Sequence, residues 1–278
     1  MKTIGVFDSG FGGLTVLREL LALVPDARYV YLGDTARLPY GSKSRETIAR
    51  YAVSSARFLA DQGADLLVIA CNTATALALD EIRAAMSIPI VGVVEPGAQA
   101  CLAAASKSAA GVAGSHVLVL ATAATTQSGA YSRTLNALGL RATEKACPLL
   151  VPLVEEGWLD QKVHTAVTLE VLRIYLLEAL EQAPDANVLL LGCTHYPLLQ
   201  PLLETTLKNL HHPMHIIDSA EATAREVAGL VPGGRSQAIA GSADRVFYAT
   251  DSIEKFQRLG SAFLREPLPP VKLIDLGG

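Results

Sequence analysis

Two stretches, Asp65 to Thr75 (DLLVIACNTAT) and Asn187 to Pro197 (NVLLLGCTHYP), constrain this chain more than anything else in it. Laid over each other, Leu67 meets Leu189, Ala70 meets Gly192, Cys71 meets Cys193, and Asn72-Thr73 meets Thr194-His195, at an offset of 193 − 71 = 122 residues. Each is a short apolar run, a small residue, a cysteine, and then amide or hydroxyl side chains. Such a run is the pattern of a strand buried on both faces of a parallel sheet. Open α/β sheets bind ligands outside the carboxyl ends of their strands, where each cysteine stands. The expectation is an α/β fold of two similar halves sharing one cleft, with a thiol on either wall.

A length of 278 residues allows one large domain or two of ordinary size. Half the residues are apolar, yet the apolar runs are of strand length and fall short of the roughly 18 residues of a membrane span. The start, MKTIGVFDSG, has one lysine and reaches Asp8 too soon for a secretory signal. A cytoplasmic protein is expected, and its four cysteines (Cys71, Cys101, Cys147, Cys193) are expected to be reduced thiols. No CxxC pair occurs, which argues against a zinc ribbon or a thioredoxin-type motif. The net charge is −4 with no basic run, so neither a nucleic-acid partner nor a membrane is expected.

Along the chain, Lys2 to Phe7 reads as a strand that ends at Asp8-Ser9-Gly10, followed by FGG and a helix closed by Pro25. Gly10-x-Gly12 begins a dinucleotide loop, but Thr15 stands where its third glycine belongs, and Asp8 would repel a pyrophosphate. Tyr29 to Leu32 is a second strand, and the loop Gly33 to Gly41 leaves its carboxyl end, its path fixed by Pro39 and Gly41. A helix from about Ser44 to Gln62 leads to the strand Leu66 to Ala70, and Asn72 and Thr73 are suited to open the next helix. After the strand Ile90 to Val94, Glu95-Pro96-Gly97 is expected to break the pattern and mark the crossing to the second half. Strands His116 to Ala121, Arg141 to Ala146 and Asn187 to Leu191 follow, with a polar stretch after Thr122 and a long helix from about Thr165 to Gln182. The tail holds a short strand near residue 217, a helix from Ala220 to Leu230, a strand from Val246 to Thr250, a helix from Ser252 to Leu264, and a strand-like VKLIDL.

Cys101, in an alanine-rich helix, and Cys147, before a proline, read as inert packing. Cys71 and Cys193 differ because they stand at matching strand ends. Four chemistries use such thiols. A metal site would draw on Cys71, Cys193, His195 and Asp8, without the local spacing of a structural zinc centre. A cysteine hydrolase would pair Cys193 with His195 and leave Cys71 idle. A dithiol couple needs the sulfurs within bonding reach. Two-base racemisation or epimerisation uses both symmetrically: one thiolate takes a proton from one face of a chiral carbon, and the other thiol delivers one to the opposite face. A free thiol has a pKa near 8.5, so this chemistry also needs groups that hold protons. It needs donors for the charge that develops on the substrate carboxylate as well. Asp8, His195 and Glu155 are candidates for the first task; Ser9, Asn72, Thr73 and Thr194 are candidates for the second.

At these residues the chain closely resembles the glutamate racemases of the aspartate/glutamate racemase superfamily. FDSGFGGLTV (Phe7 to Val16), GDTARLPYG (Gly33 to Gly41), ACNTAT (Ala70 to Thr75), VVEP (Val93 to Pro96), VPLVEEG (Val151 to Gly157), GCTHYPLL (Gly192 to Leu199) and IDSA (Ile217 to Ala220) carry the resemblance in order along the whole chain. It implies a cofactor-independent isomerase that interconverts L- and D-glutamate and supplies D-glutamate for peptidoglycan and cell-wall synthesis. By position, Cys71 would act on the D enantiomer with Asp8, and Cys193 on the L enantiomer with His195 and Glu155. Substrate contacts would come from Asp8, Ser9, Tyr40, Gly41, Asn72, Thr73, Thr122, Thr194 and His195.

The implied fold is two pseudo-symmetric parallel-sheet α/β domains facing one cleft, residues 1–97 with a returning tail 211–278, and residues 98–210. The partner implied is the small-molecule substrate, with a homodimer as the oligomer to look for. Aspartate racemase is the neighbouring specificity; a small-acid sensor or a gyrase-type binding protein is the non-enzymatic alternative. The chain has Ala121-Thr122 where the family usually has Gly-Thr, and the stretch 106–115 looks longer than usual. No extension precedes Met1-Lys2-Thr3, so the peptidoglycan-precursor activation of extended members is not expected.

Overall fold

The computed structural model describes residues 1–108, 110–160, 162–231 and 244–277. The first half runs β1 (Thr3–Asp8), α1 (Leu14–Leu23), β2 (Arg28–Gly33), α2 (Arg45–Asp61), β3 (Leu66–Ile69), α3 (Asn72–Ala85) and β4 (Ile90–Gly92). The second runs α4 (Val94–Lys107), β5 (His116–Ala121), α5 (Ala123–Ser128), α6 (Ala130–Ala137), β6 (Arg141–Ala146), α7 (Leu150–Glu155), α8 (Lys162–Gln182), β7 (Val188–Gly192), α9 (Gln200–Asn209) and β8 (His215–Asp218). Then come α10 (Ser219–Leu230), β9 (Arg245–Ala249), α11 (Ile253–Leu264) and β10 (Val271–Leu273). Among the described residues, no helix is long and apolar enough to cross a membrane.

Two parallel sheets result, one ordered β10-β9-β2-β1-β3-β4 and the other β6-β5-β7-β8. The second repeats the central order of the first, with β5, β6, β7 and β8 in the places of β1, β2, β3 and β4. The inner strands β3, β5 and β7 are buried along their length because both faces are covered, whereas the edge strand β6 (RATEKA) is polar and partly exposed. Along β3, Leu66 and Val68 enter one core while Leu67 and Ile69 enter the core beneath α2 and α3, as the two-residue period of a strand requires. β7 divides the same way, Leu189 and Leu191 to one side and Val188 and Leu190 to the other. The largest core joins the halves, taking in Leu14 and Leu17 of α1, Val227 of α10, and Leu118 and Leu191 of the second sheet.

Two expectations need correction. Glu95-Pro96-Gly97 does not break the pattern but lies in the opening turns of α4. Proline is tolerated in a first turn because that turn's N–H groups have no partner within the helix. The strand near residue 217, expected to return with a tail starting at residue 211, is β8 and pairs with β7 in the second sheet. The return to the first sheet comes later, at β9, which pairs with β2. Residues 109, 232–243 and 278, which belong to the expected stretch 106–115 and tail 211–278, lie outside the described residues.

Candidate active site

Each sheet has one point where the strand order reverses. The chain passes from β1 to β2 on one side, then places β3 on the other; β5, β6 and β7 do the same. Ligands of open α/β sheets bind at such a point, outside the carboxyl ends of the two strands that flank it. Cys71 follows β3 and Cys193 follows β7, so both thiols stand at switch points. The backbone sets the correspondence of the other flanking strands. Asp34 N donates to Asp8 O at 3.0 Å, and Cys147 N donates to Ala121 O at 2.8 Å. Asp8 and Ala121 are thus equivalent, and only the first half has a carboxylate there.

On the first wall, Cys71 caps α3: its Sγ accepts from Ala74 N at 3.5 Å and lies 3.4 Å from Ser9 Oγ. A helix start favours a thiolate, but burial wins here. Burial pushes the Cys71 thiol up to about 11, and the Asp8 charge adds to the effect against hydrogen bonds from Ser9 and Ala74. Asp8 is itself buried, and that burial raises its pKa, while the charge of His195 and the N–H groups of Gly10, Gly13 and Ser9 pull the other way. Gly10 N donates to Asp8 Oδ2 at 2.8 Å, and Oδ1 is buried without a partner. Asn72 mirrors it. The Tyr131 hydroxyl, from α6 across the cleft, donates to Asn72 Oδ1, and the amide Nδ2 is buried without a partner. One acceptor and one donor are therefore left open beside Cys71.

On the second wall, Cys193 Sγ lies 4.0 Å from His195 Nδ1, and His195 Nε2 lies 3.3 Å from Glu155 Oε1. Burial pushes the Glu155 carboxyl up, but hydrogen bonds from His195 and Lys255 outweigh it and hold the group below the usual carboxylate range. An ionised carboxylate only accepts, so Nε2 carries a hydrogen toward Glu155, which leaves Nδ1 as the ring nitrogen that faces Cys193. Burial also drives the Cys193 thiol well above a free thiol, with the charges of Cys71 and Asp8 adding to it against the His195 backbone N–H.

Across the cleft the halves touch through hydroxyls. Thr73 Oγ1 lies 3.0 Å from Thr122 Oγ1 and 3.1 Å from Thr125 Oγ1, and the last two lie 3.0 Å apart. Thr122 has extended backbone and caps α5, so the polar stretch after Ala121 is a short helix. Gly41 packs on Thr122, where an added Cβ would stand 3.1 Å from its Cβ. Tyr40 faces elsewhere: its hydroxyl donates to Asp34 Oδ2 at 2.6 Å, so it anchors the loop rather than offering its hydroxyl to the cleft. The glycine-rich turn after β1 serves a close approach. A Cβ on Gly12 would fall 2.1 Å from Thr194 Oγ1 and 2.6 Å from His195 Nδ1. Thr15, where a dinucleotide loop has glycine, donates to the Thr194 carbonyl at 3.2 Å.

Asp8, Ser9, Cys71, Asn72, Thr73, Thr122, Glu155, Cys193, Thr194 and His195 thus lie in one largely buried set of contacts where the two halves meet. The structure adds three residues that no local pattern announces. Tyr131 fixes the Asn72 amide; Lys255 reaches Glu155 Oε2 at 2.8 Å; Phe263 stands edge-on to the His195 ring with centroids 5.1 Å apart.

Residues 4–227 match the Asp/Glu/Hydantoin racemase family. A glutamate racemase of Koribacter versatilis is 51% identical over 298 residues, covering 99% of this chain and 98% of that protein. The crystal structure of glutamate racemase from Francisella tularensis in complex with D-glutamate superposes with a TM-score of 0.85 at 30% identity, covering 99% of this chain and 98% of that one. That of the Thermus thermophilus glutamate racemase in complex with beta-chloro-D-alanine gives 0.81 at 40% identity, covering 99% and 97%. The chain belongs to the Asp/Glu/Hydantoin racemase family, among the glutamate racemases.

Proposed function

We propose that the protein interconverts L- and D-glutamate by two-base proton transfer between Cys71, Cys193 and the substrate Cα, with no cofactor. The observation that carries this is the pair of thiols at equivalent switch points, each with its own proton partner. From L-glutamate, the Cys193 thiolate takes the Cα proton and the Cys71 thiol returns one from the opposite face. The product is D-glutamate, and the enzyme is left with Cys193 protonated and Cys71 ionised, ready for the reverse step. The hand of each thiol follows the resemblance. Nδ1 of His195 accepts the Cys193 proton when the thiolate forms, and Glu155 steadies the imidazolium. Asp8 serves Cys71.

The substrate complements the open groups. Its ammonium suits Asp8 Oδ1, which lacks a partner, and a carboxylate suits Asn72 Nδ2. The Thr73, Thr122 and Thr125 hydroxyls can turn their hydrogens to the other carboxylate, with Ser9 and Thr194 as further donors and the backbone at Tyr40-Gly41 as the lid on Thr122. Preset donors matter because general acid–base catalysis alone contributes roughly 10²- to 10⁴-fold, too little for a weak carbon acid. We place the enzyme in the cytoplasm as a source of D-glutamate for peptidoglycan, with a homodimer as the assembly to look for.

The test is deuterium exchange at Cα, followed by NMR in D₂O with L- and then D-glutamate, for wild type, Cys71→Ser and Cys193→Ser. Wild type should exchange and racemise glutamate but not aspartate, and either serine variant should racemise far more slowly. A wild-type protein that exchanges neither amino acid ends the racemase assignment and leaves a binding role for the cleft.

A further inference from the structure

Lys255 lies on α11, whose buried Phe256, Leu259 and Phe263 anchor it in the core built around α1 and β9. Its ammonium nevertheless meets a residue of the other half, Glu155 at the end of α7, with Nζ 2.8 Å from Oε2. The other oxygen of that carboxylate accepts from His195 Nε2, and Nδ1 of the same ring faces Cys193 Sγ. Four side chains from three segments therefore stand in line: Lys255 of α11, Glu155 of α7, and His195 and Cys193 of the turn after β7. The lysine is 40% exposed, but Glu155 is only 14% exposed, and Nζ also lies 5.4 Å from the Phe11 ring centroid. An apolar face on one side and a mostly buried carboxylate on the other distinguish this pair from a solvated surface pair worth little.

We infer that Lys255 is a positioning residue for the Cys193 wall, holding the Glu155 carboxylate where it fixes His195 against Cys193. A carboxylate with one oxygen on an imidazole and nothing on the other can rotate about its last bonds. A second partner on the far oxygen removes that freedom and sets the ring plane that Glu155 dictates. Phe263, about two turns along α11 from Lys255, packs at a steep angle against the ring with centroids 5.1 Å apart. The same helix thus controls both the rotation and the tilt of His195. On the Cys71 wall, by contrast, Asp8 accepts from the Gly10 backbone N–H, so the two walls are steadied by different means. Because the pair joins residues 100 positions apart on opposite halves, it forms only with the halves in this relative position.

The inference rests on the two-base assignment above, and its test is separable from that one. Steady-state kcat and KM for both enantiomers are measured on wild type, Lys255→Met, Lys255→Arg, Glu155→Gln and the double variant Lys255→Met/Glu155→Gln, with melting temperatures alongside. Lys255→Met should lower kcat about 3- to 10-fold with KM unchanged, since the lysine touches no substrate; Lys255→Arg should restore most of it. With glutamate and its mirror image equal in free energy, kcat/KM should fall by one factor in both directions. In the Glu155→Gln background the methionine should add less than about 1.5-fold, the signature of two residues acting through one another. A wild-type kcat in Lys255→Met, a loss confined to KM, or a loss undiminished in the Glu155→Gln background would each overturn the inference. An inactive wild type would overturn the two-base assignment instead.

Discussion

Asp8 is a carboxylate in surroundings that disfavour its charge. It is 1% exposed, Gly10 N donates to Oδ2, and Oδ1 is buried without a partner. Its folded pKa is raised above 3.8. For an acid, a raised folded value means stability that is fully present below the unfolded pKa and lost as pH rises through the folded one. Asp8→Asn should therefore leave stability nearly unchanged near pH 3.5 and raise Tm at pH 7. The same variant should lose most racemase activity. Thermal melts at the two pH values check the sign: equal gains at both, or a loss at pH 7, contradict the account. The buried charge is the kind of local strain that function retains at the expense of stability.

At the scale of elements, the turn between β1 and α1 has the most to say. Its glycines read from sequence as half of a dinucleotide loop, yet Gly12 is there because the turn abuts Thr194 and His195. Thr194 can rotate away from an added methyl, but the His195 ring is held by Glu155 and by Phe263. Gly12→Ala should thus displace the ring and reduce kcat about 100-fold, the scale of a misplacement near 1 Å, while circular dichroism shows an intact fold. A variant with wild-type kcat would mean that the turn, not the ring, gives way.

The same element shows why some of the molecule was legible in sequence and some was not. Strands β3, β5 and β7 were legible because burial on both faces leaves unbroken apolar runs, and the cysteines because they end two of those runs. The helix Ala123–Ser128 was not, since six mostly small or polar residues carry no face pattern. Lys255 and Tyr131 were invisible because their partners lie 100 and 59 residues away, and nothing in a local window reports such a pairing.

Taken whole, the molecule is two copies of one strand order with unlike fittings, and its pH response should show both. Each thiol is raised by burial, Cys71 to about 11, so little thiolate exists at pH 7, and the reactive fraction grows as pH rises. Activity falls again once both are ionised, because no thiol remains to donate. We expect kcat/KM to rise from pH 7 toward pH 11, with the same outline for both enantiomers, since both report the free enzyme. Polarimetry from pH 6 to 11, started from each enantiomer, measures it; an optimum below pH 7 would contradict the burial argument.

The late pairing of β9 with β2 has a further consequence, for the order in which the protein becomes competent as it is made. Synthesis runs from the amino end at roughly 5–20 residues per second, and pairings far apart in sequence must wait for loop closure. A nascent chain that has emerged through β8 already owns Cys71, Cys193, His195 and Glu155. It lacks the strand beside β2, the lysine opposite Glu155 and the ring at the edge of His195. The polypeptide acquires both thiols before the helix that disciplines one of them is translated.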